Sequence, residues 1–223
     1  MDVGARDSST AAPGGLRRVT WIKICGITSC EDAELCLDLG ADALGVNLIA
    51  TSRRYVDPAQ AGEIARVVKG RGELVLVVAN ENREVLARLL EQLDADWLQL
   101  HGHEDPATVG ALAPKAYKAV RIAEQSDIAL ALQYPGPRLL VDALVEGELG
   151  GTGTTFDWSL VTGVVTQRHL ILAGGLTPDN VRKALVQVGP WGVDVASGVE
   201  SAQVRRKDPG AVRAFIEAVR SQH

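Results

Sequence analysis

The 223-residue chain is 46% hydrophobic and 23% charged, with a net charge of −5; that is enough apolar material for one large α/β core. An acidic balance gives no broad basic field, so nucleic acid and anionic membrane are poor partners by long-range attraction. No apolar run approaches the roughly 18 residues needed for a membrane span, and a soluble protein is expected.

Residues 1–18, within "MDVGARDSSTAAPGGLRRVT", are small, polar and glycine-rich and lack the apolar centre of a secretory signal. A disordered N-terminal tail is expected there. The first strand is predicted over 21–25, "WIKIC", and stops at Gly26. Ser29 with Asp32 resembles a capping box for a helix over 30–39, and Gly40 is placed to end it. Further apolar runs of strand length follow at 43–48, 74–78, 97–100, 116–120, 138–141, 169–172 and 191–195. Between them, Asp57-Pro58, Asp105-Pro106, Thr177-Pro178 and Asp208-Pro209 each join a side-chain acceptor to a proline, which predicts four helix starts. The three cysteines, at 25, 30 and 36, crowd into one early segment and do not form a disulfide framework. A reducing cytoplasmic location fits that usage.

Strand and helix alternating at a mean repeat of about 25 residues predict right-handed βαβ units and a parallel sheet. Eight such units close into a single (β/α)8 (TIM) barrel, taken here as one catalytic domain over residues 19–223. An open doubly wound sheet is the competitor. It would usually carry G-x-G-x-x-G after its first strand, where this chain has Cys25-Gly26-Ile27-Thr28.

In a barrel the site lies at the carboxyl ends of the strands, so those ends name the candidates. They are Cys25, Asn47, Asn80, His101, Arg121, Asp142, Gly174-Gly175 and Ser197-Gly198. Cys25 is either a small buried hydrophobe or a reactive thiol near a helix N-terminus that could act as base or nucleophile. Asp142 is either a loop cap or a carboxyl whose pKa an apolar mouth would raise, fitting it to donate a proton. The long loop "ALVEGELGGTGTTFDW" brings Gly151 and Gly153, whose backbone can lie close against a ligand. "LAGGLTPDN" and "VDVASGVES" suggest a phosphate site built from the loops after strands seven and eight. Arg53 and Arg54 are a surface pair or a bidentate grip for a carboxylate. His101-Gly102-His103 has no further His or Cys at ligand spacing, so no metal is expected.

"KICGIT" at 23–28, "QLHG" at 99–102, "GGTGTTFDW" at 150–158, "LAGGLTPDNV" at 172–181 and "VDVASGVES" at 193–201 together resemble the phosphoribosylanthranilate isomerase family, over nearly the whole chain after about residue 19. The resemblance implies a cofactor-independent (β/α)8 barrel of tryptophan biosynthesis. Its substrate would be the phosphorylated small molecule N-(5-phosphoribosyl)anthranilate and its product 1-(2-carboxyphenylamino)-1-deoxyribulose 5-phosphate. It implies Cys25 as general base and Asp142 as general acid, Arg54 against the anthranilate carboxylate, and Gly174, Gly175, Ser197 and Gly198 around the phosphate. The loop "NLIATSRRYV" lacks the aromatic and proline that often precede its serine in the family, and Thr154 stands where lysine is common.

Other phosphosugar barrels, such as an epimerase or an indoleglycerol phosphate synthase, are the nearest enzyme alternatives. They use metal-binding side chains or lysines at strand ends, and Lys118 is predicted inside a strand. A barrel that only binds phosphorylated ligands is the alternative from another class. Either a monomer or a homodimer is compatible with the sequence.

Overall fold

The computed structural model describes residues 19–143, 158–162, 164–165, 168–202 and 205–221. The expected tail over 1–18 and the glycine loop bearing Gly151 and Gly153 lie outside these residues. Eight parallel strands close into one ring in sequence order, a TIM barrel as the alternation predicts. They are β1 (Trp21–Cys25), β2 (Ala43–Asn47), β3 (Glu73–Val78), β4 (Trp97–Leu100), β5 (Ala116–Ile122), β6 (Arg138–Ala143), β7 (His169–Ala173) and β8 (Gly192–Val195). The ring is sealed by β1 against β8, which sets Lys23 beside Asp194 and Ile24 beside Val195.

Seven helices among the described residues cover the outside: α1 (Cys30–Asp38), α2 (Pro58–Val68), α3 (Arg83–Gln92), α4 (Pro106–Ala111), α5 (Gln125–Ala131), α6 (Val181–Val188) and α7 (Pro209–Arg220). Asp57, Asp105 and Asp208 each accept a hydrogen bond from the backbone N–H three residues on, and each is followed by proline. Two expectations at helix starts are corrected. Thr177-Pro178 opens a turn rather than a helix: Asn180 is the residue before α6, and its Oδ1 accepts from the Thr177 N–H at 2.8 Å. Ser29 does cap α1, accepting from the Asp32 N–H at 3.2 Å. Asp32, however, turns away to Arg206 and to the Lys207 N–H, at 3.2 and 3.0 Å, so only half of the capping box forms. Between β6 and β7 the described residues include one 3-10 turn, Trp158–Val161, with Trp158 and Val161 buried.

Two cores follow from strand alternation. Even-numbered residues of β1, such as Ile22 and Ile24, face the helices and join a large cluster with Leu44, Leu76, Leu98 and Phe215. Odd-numbered residues of β1 face the barrel axis, where Trp21 joins Val75, Tyr117, Leu140 and Ile171. The amino-terminal end of the barrel is filled by Arg138. Its guanidinium lies 3.8 Å from the Trp97 ring, 4.8 Å from Trp191 and 5.1 Å from Trp21, and it forks onto Glu73 at 2.8 and 3.0 Å. That leaves the carboxyl end for polar side chains with another purpose.

Candidate active site

The same alternation that points Trp21 inward also points Lys23 and Cys25 inward, one layer after another up β1. Lys23 is fully buried, and its Nζ meets Asp194 Oδ2 of β8 at 2.9 Å. Gly45 of β2 makes room for both: a Cβ there would stand 2.8 Å from Cys25 Sγ and 3.0 Å from Lys23 Nζ. Burial pushes the Cys25 thiol up from its ordinary pKa, Lys23 pulls it down, and Asp194 pushes it up again; the net shift is upward. For Lys23 itself burial opposes the charge, but Asp194, Cys25 and Tyr117 together outweigh it and the ammonium is held firmly.

Asp142 lies on β6, in register with Arg121 of β5 and Ala173 of β7. Burial raises its pKa to about 6, Asp194 adds to the rise, and Arg121 and Lys23 oppose it. It stands in the wall of a cavity of about 500 Å³ lined also by Ile49, Asn80, His101, Arg121 and Tyr134. His101 in that wall is held neutral, its pKa lowered to about 4 by burial and then by the charges of Arg121, Lys118 and Lys23. Lys118 serves the loop after β4: its Nζ donates to the Leu100 and Gly102 carbonyls at 3.0 and 2.8 Å and sits 3.4 Å from Glu104.

The loops after β7 and β8 are packed backbone against backbone. Gly174 and Gly175 have φ of 86° and 62°, a region only glycine enters freely. A Cβ on Gly198 would run into the Leu176 carbonyl. Ser197 and Gly198 lie in a short 3-10 turn, Ser197–Val199. Successive N–H groups in such conformations form a concave, anion-binding surface.

Arg54 lies across Gly26, where a Cβ would collide with its Cδ. Its guanidinium forks onto Glu200, through Nε and Oε1 and through Nη2 to Oε2 at 2.9 Å. Burial would raise Glu200, but the Arg54 hydrogen bond, with Lys207 and Arg53, outweighs it and holds this carboxyl below its usual pKa. Lys207 Nζ closes the same corner on the Ala196 carbonyl at 3.1 Å.

The structure therefore brings Cys25 and Asp142 to one mouth, places Gly174, Gly175, Ser197 and Gly198 together, and engages Arg54 with Glu200. Sequence reasoning missed Lys23, Gly45, Asp194, Glu200 and Lys207. The readable sign for Lys23 and Asp194 was a charge inside an apolar strand, two residues before Cys25 in one case and between two valines in the other.

A closed eight-stranded ring with its ionisable side chains gathered at the carboxyl mouth and a glycine-rich loop pair beside them defines a (β/α)8-barrel enzyme. A family profile described as N-(5'phosphoribosyl)anthranilate (PRA) isomerase matches residues 22–218. An N-(5'-phosphoribosyl)anthranilate isomerase of Magnetococcus marinus is 42% identical over 205 residues, 89% of this chain and 94% of that protein. The crystal structure of phosphoribosyl anthranilate isomerase from Thermotoga maritima superposes with a TM-score of 0.85 at 37% identity, covering 91% of this chain and 99% of that one. A second isomerase structure, in complex with reduced 1-(o-carboxyphenylamino)-1-deoxyribulose 5-phosphate, gives 0.81 at 34% identity, covering 91% of this chain and 99% of that one. The chain belongs to the phosphoribosylanthranilate isomerase family.

Proposed function

We propose that this chain isomerises N-(5-phosphoribosyl)anthranilate by proton transfers in which Asp142 is the general acid and Cys25 the general base. As a member of its family it is an aldose–ketose isomerase of tryptophan biosynthesis. The observation that carries the residue assignment is the pair itself. Cys25 and Asp142 occupy inward, carboxyl-end positions of β1 and β6, and burial has moved Asp142 to about 6, where it can hold a proton near neutrality.

In the proposed reaction Asp142 gives its proton to the ribose ring oxygen as the C1′–O bond breaks. The anthranilate nitrogen supplies its lone pair and becomes an iminium. That cation acidifies C2′–H, and the Cys25 thiolate takes the proton while the C–H electrons flow back to nitrogen. The resulting enolamine tautomerises to the 2′-ketone. Each transfer is worth about 10²–10⁴-fold in rate. Gly174, Gly175, Ser197 and Gly198 would hold the phosphate on their N–H groups, and Arg54 would meet the anthranilate carboxylate with the Nη1 side of a guanidinium whose other edge Glu200 holds. Gly151 and Gly153 would complete the substrate contacts from the loop after β6. The reading places the enzyme in the cytoplasm, where the free thiols Cys25, Cys30 and Cys36 stay reduced.

The test follows loss of phosphoribosylanthranilate fluorescence, with substrate made in situ. Cys25→Ala and Asp142→Asn should each lose roughly 10²-fold or more in kcat while folding normally. Absence of turnover by the unmodified protein would refute the activity, and a fully active Cys25→Ala would refute the base.

A further inference from the structure

Among the described residues of the site, Lys23 is the most deeply buried cation, and the proton transfers above do not use it. Lys23 sits on the same face of β1 as Cys25, one layer below it, and is 0% exposed. A lysine costs a great deal to bury unless its charge is matched. Asp194 matches it at 2.9 Å, held there by the β1–β8 register. The Asp194 side chain is 7% exposed, and its Oδ1 has no hydrogen-bond partner among the described residues. So the carboxylate is committed to Lys23 through one oxygen only. On the other side, the ammonium and the Cys25 sulfur share a niche floored by Gly45, whose missing side chain is what admits them both.

We infer that Lys23 is a positioning residue for the isomerisation: held by Asp194, its ammonium stabilises the thiolate form of Cys25 and aims it from below. The inference rests on Cys25 being the base. It gives the buried ion pair a direction, with its positive end toward the thiol. Burial alone would keep the sulfur protonated, and the charge beneath it works against that. The titratable and charged groups that face the thiol are Lys23 from β1, Asp194 from β8, Lys207 from the segment after β8 and Tyr117 of β5, which also faces Lys23. Among them Lys23 acts most strongly.

The consequence can be read in a pH profile. Catalysis needs Asp142 protonated and Cys25 ionised, although the acid has the lower pKa. The profile of kcat/KM then rises to about pH 6, stays level, and falls above the thiol pKa. On the level stretch only the minority of molecules with this reversed protonation is active. Raising the thiol pKa by one unit moves the alkaline limb up one unit and lowers the plateau tenfold.

The experiment compares the full chain with Lys23→Met, Asp194→Asn and the Lys23→Met/Asp194→Asn double variant, which leaves no lone buried charge if the first single variant fails to fold. Two readouts are taken: kcat/KM against pH, and the pH midpoint of Cys25 alkylation by iodoacetamide, resolved by peptide mass. Lys23→Met and the double variant should move the alkylation midpoint and the alkaline limb upward by a unit or more, with a matching tenfold or greater fall in the plateau. Asp194→Asn should move both downward. Opposite signs from two partners of one ion pair are not produced by a loss of packing. A plateau that falls in folded variants with the alkylation midpoint unmoved would overturn the inference. A midpoint that moves while the kcat/KM limb does not would support the electrostatic coupling and overturn the base role of Cys25.

Discussion

Lys23 and Asp194 meet at 2.9 Å across the seam that closes the barrel, one strand from the beginning of the ring and one from its end. A charge pair at that place links sheet closure to the chemistry above it. Removing one partner leaves the other buried without a counter-charge, which costs about 3–5 kcal/mol. Asp194→Leu should therefore lower the urea midpoint sharply. Adding Lys23→Met to it should restore most of the loss, because an apolar pair of similar volume avoids desolvating both ions. A double variant as unstable as the single one would contradict this account.

Gly45→Ala tests the floor of the niche. The new methyl group would stand 2.8 Å from Cys25 Sγ and 2.9 Å from Lys23 Cε, and Lys23 is fully buried. Overpacking of this kind costs about 1–3 kcal/mol. The expected result is a modest loss of stability and a loss of at least about tenfold in kcat, since base catalysis depends on where the sulfur points. Unchanged kcat would mean that the sulfur can be displaced without consequence.

Gly198→Ala strikes the contact between the last two loops, because a Cβ would meet the Leu176 carbonyl. Backbone cannot move aside as a flexible side chain can. The loops should separate and the proposed phosphate surface open, raising KM by about tenfold or more while the Cys25 alkylation midpoint stays where it is. Tight binding of inorganic phosphate by this variant would argue against the assignment.

Two groups in the mouth give acid stability opposite slopes. His101 has a folded pKa of about 4 against an unfolded value near 6.5. Between those values the unfolded chain binds more protons, so the stability that His101 confers is present above 6.5 and lost as pH falls toward 4. Asp142, at about 6 when folded, binds its proton first in the native state, so stability rises as pH falls from above 6 toward its unfolded value. His101→Asn should thus be more stable at pH 5 relative to pH 7 than the unmodified protein, and Asp142→Asn less so. Urea titrations at the two pH values decide it.

Much of the barrel was legible because its strands are short apolar runs bounded by turn residues. β1 matches the predicted span, and the Asp-Pro pairs cap helices at 57, 105 and 208. Thr177-Pro178 misled because Asn180, three residues on, supplies the acceptor that shapes the turn. The strand outlets named Cys25 and Asp142 for the same reason that they named Asn47: periodicity shows which residues reach the mouth. It does not show partners. Arg54 and Glu200 are 146 positions apart and Lys23 and Asp194 are 171 apart, so only closure of the ring reveals that each cation has an anion waiting.

At the far end of the barrel, Arg138 is wrapped by Trp21, Trp97 and Trp191 and clasped by Glu73. This acts as a stopper. With the base of the tube corked in this way, the proposed assignment has water and substrate share the open rim as the approach to Lys23, Cys25 and Asp142. On that assignment, a substrate seated in the opening would act as the lid and would keep the protons of the reaction between enzyme and substrate rather than in bulk solvent.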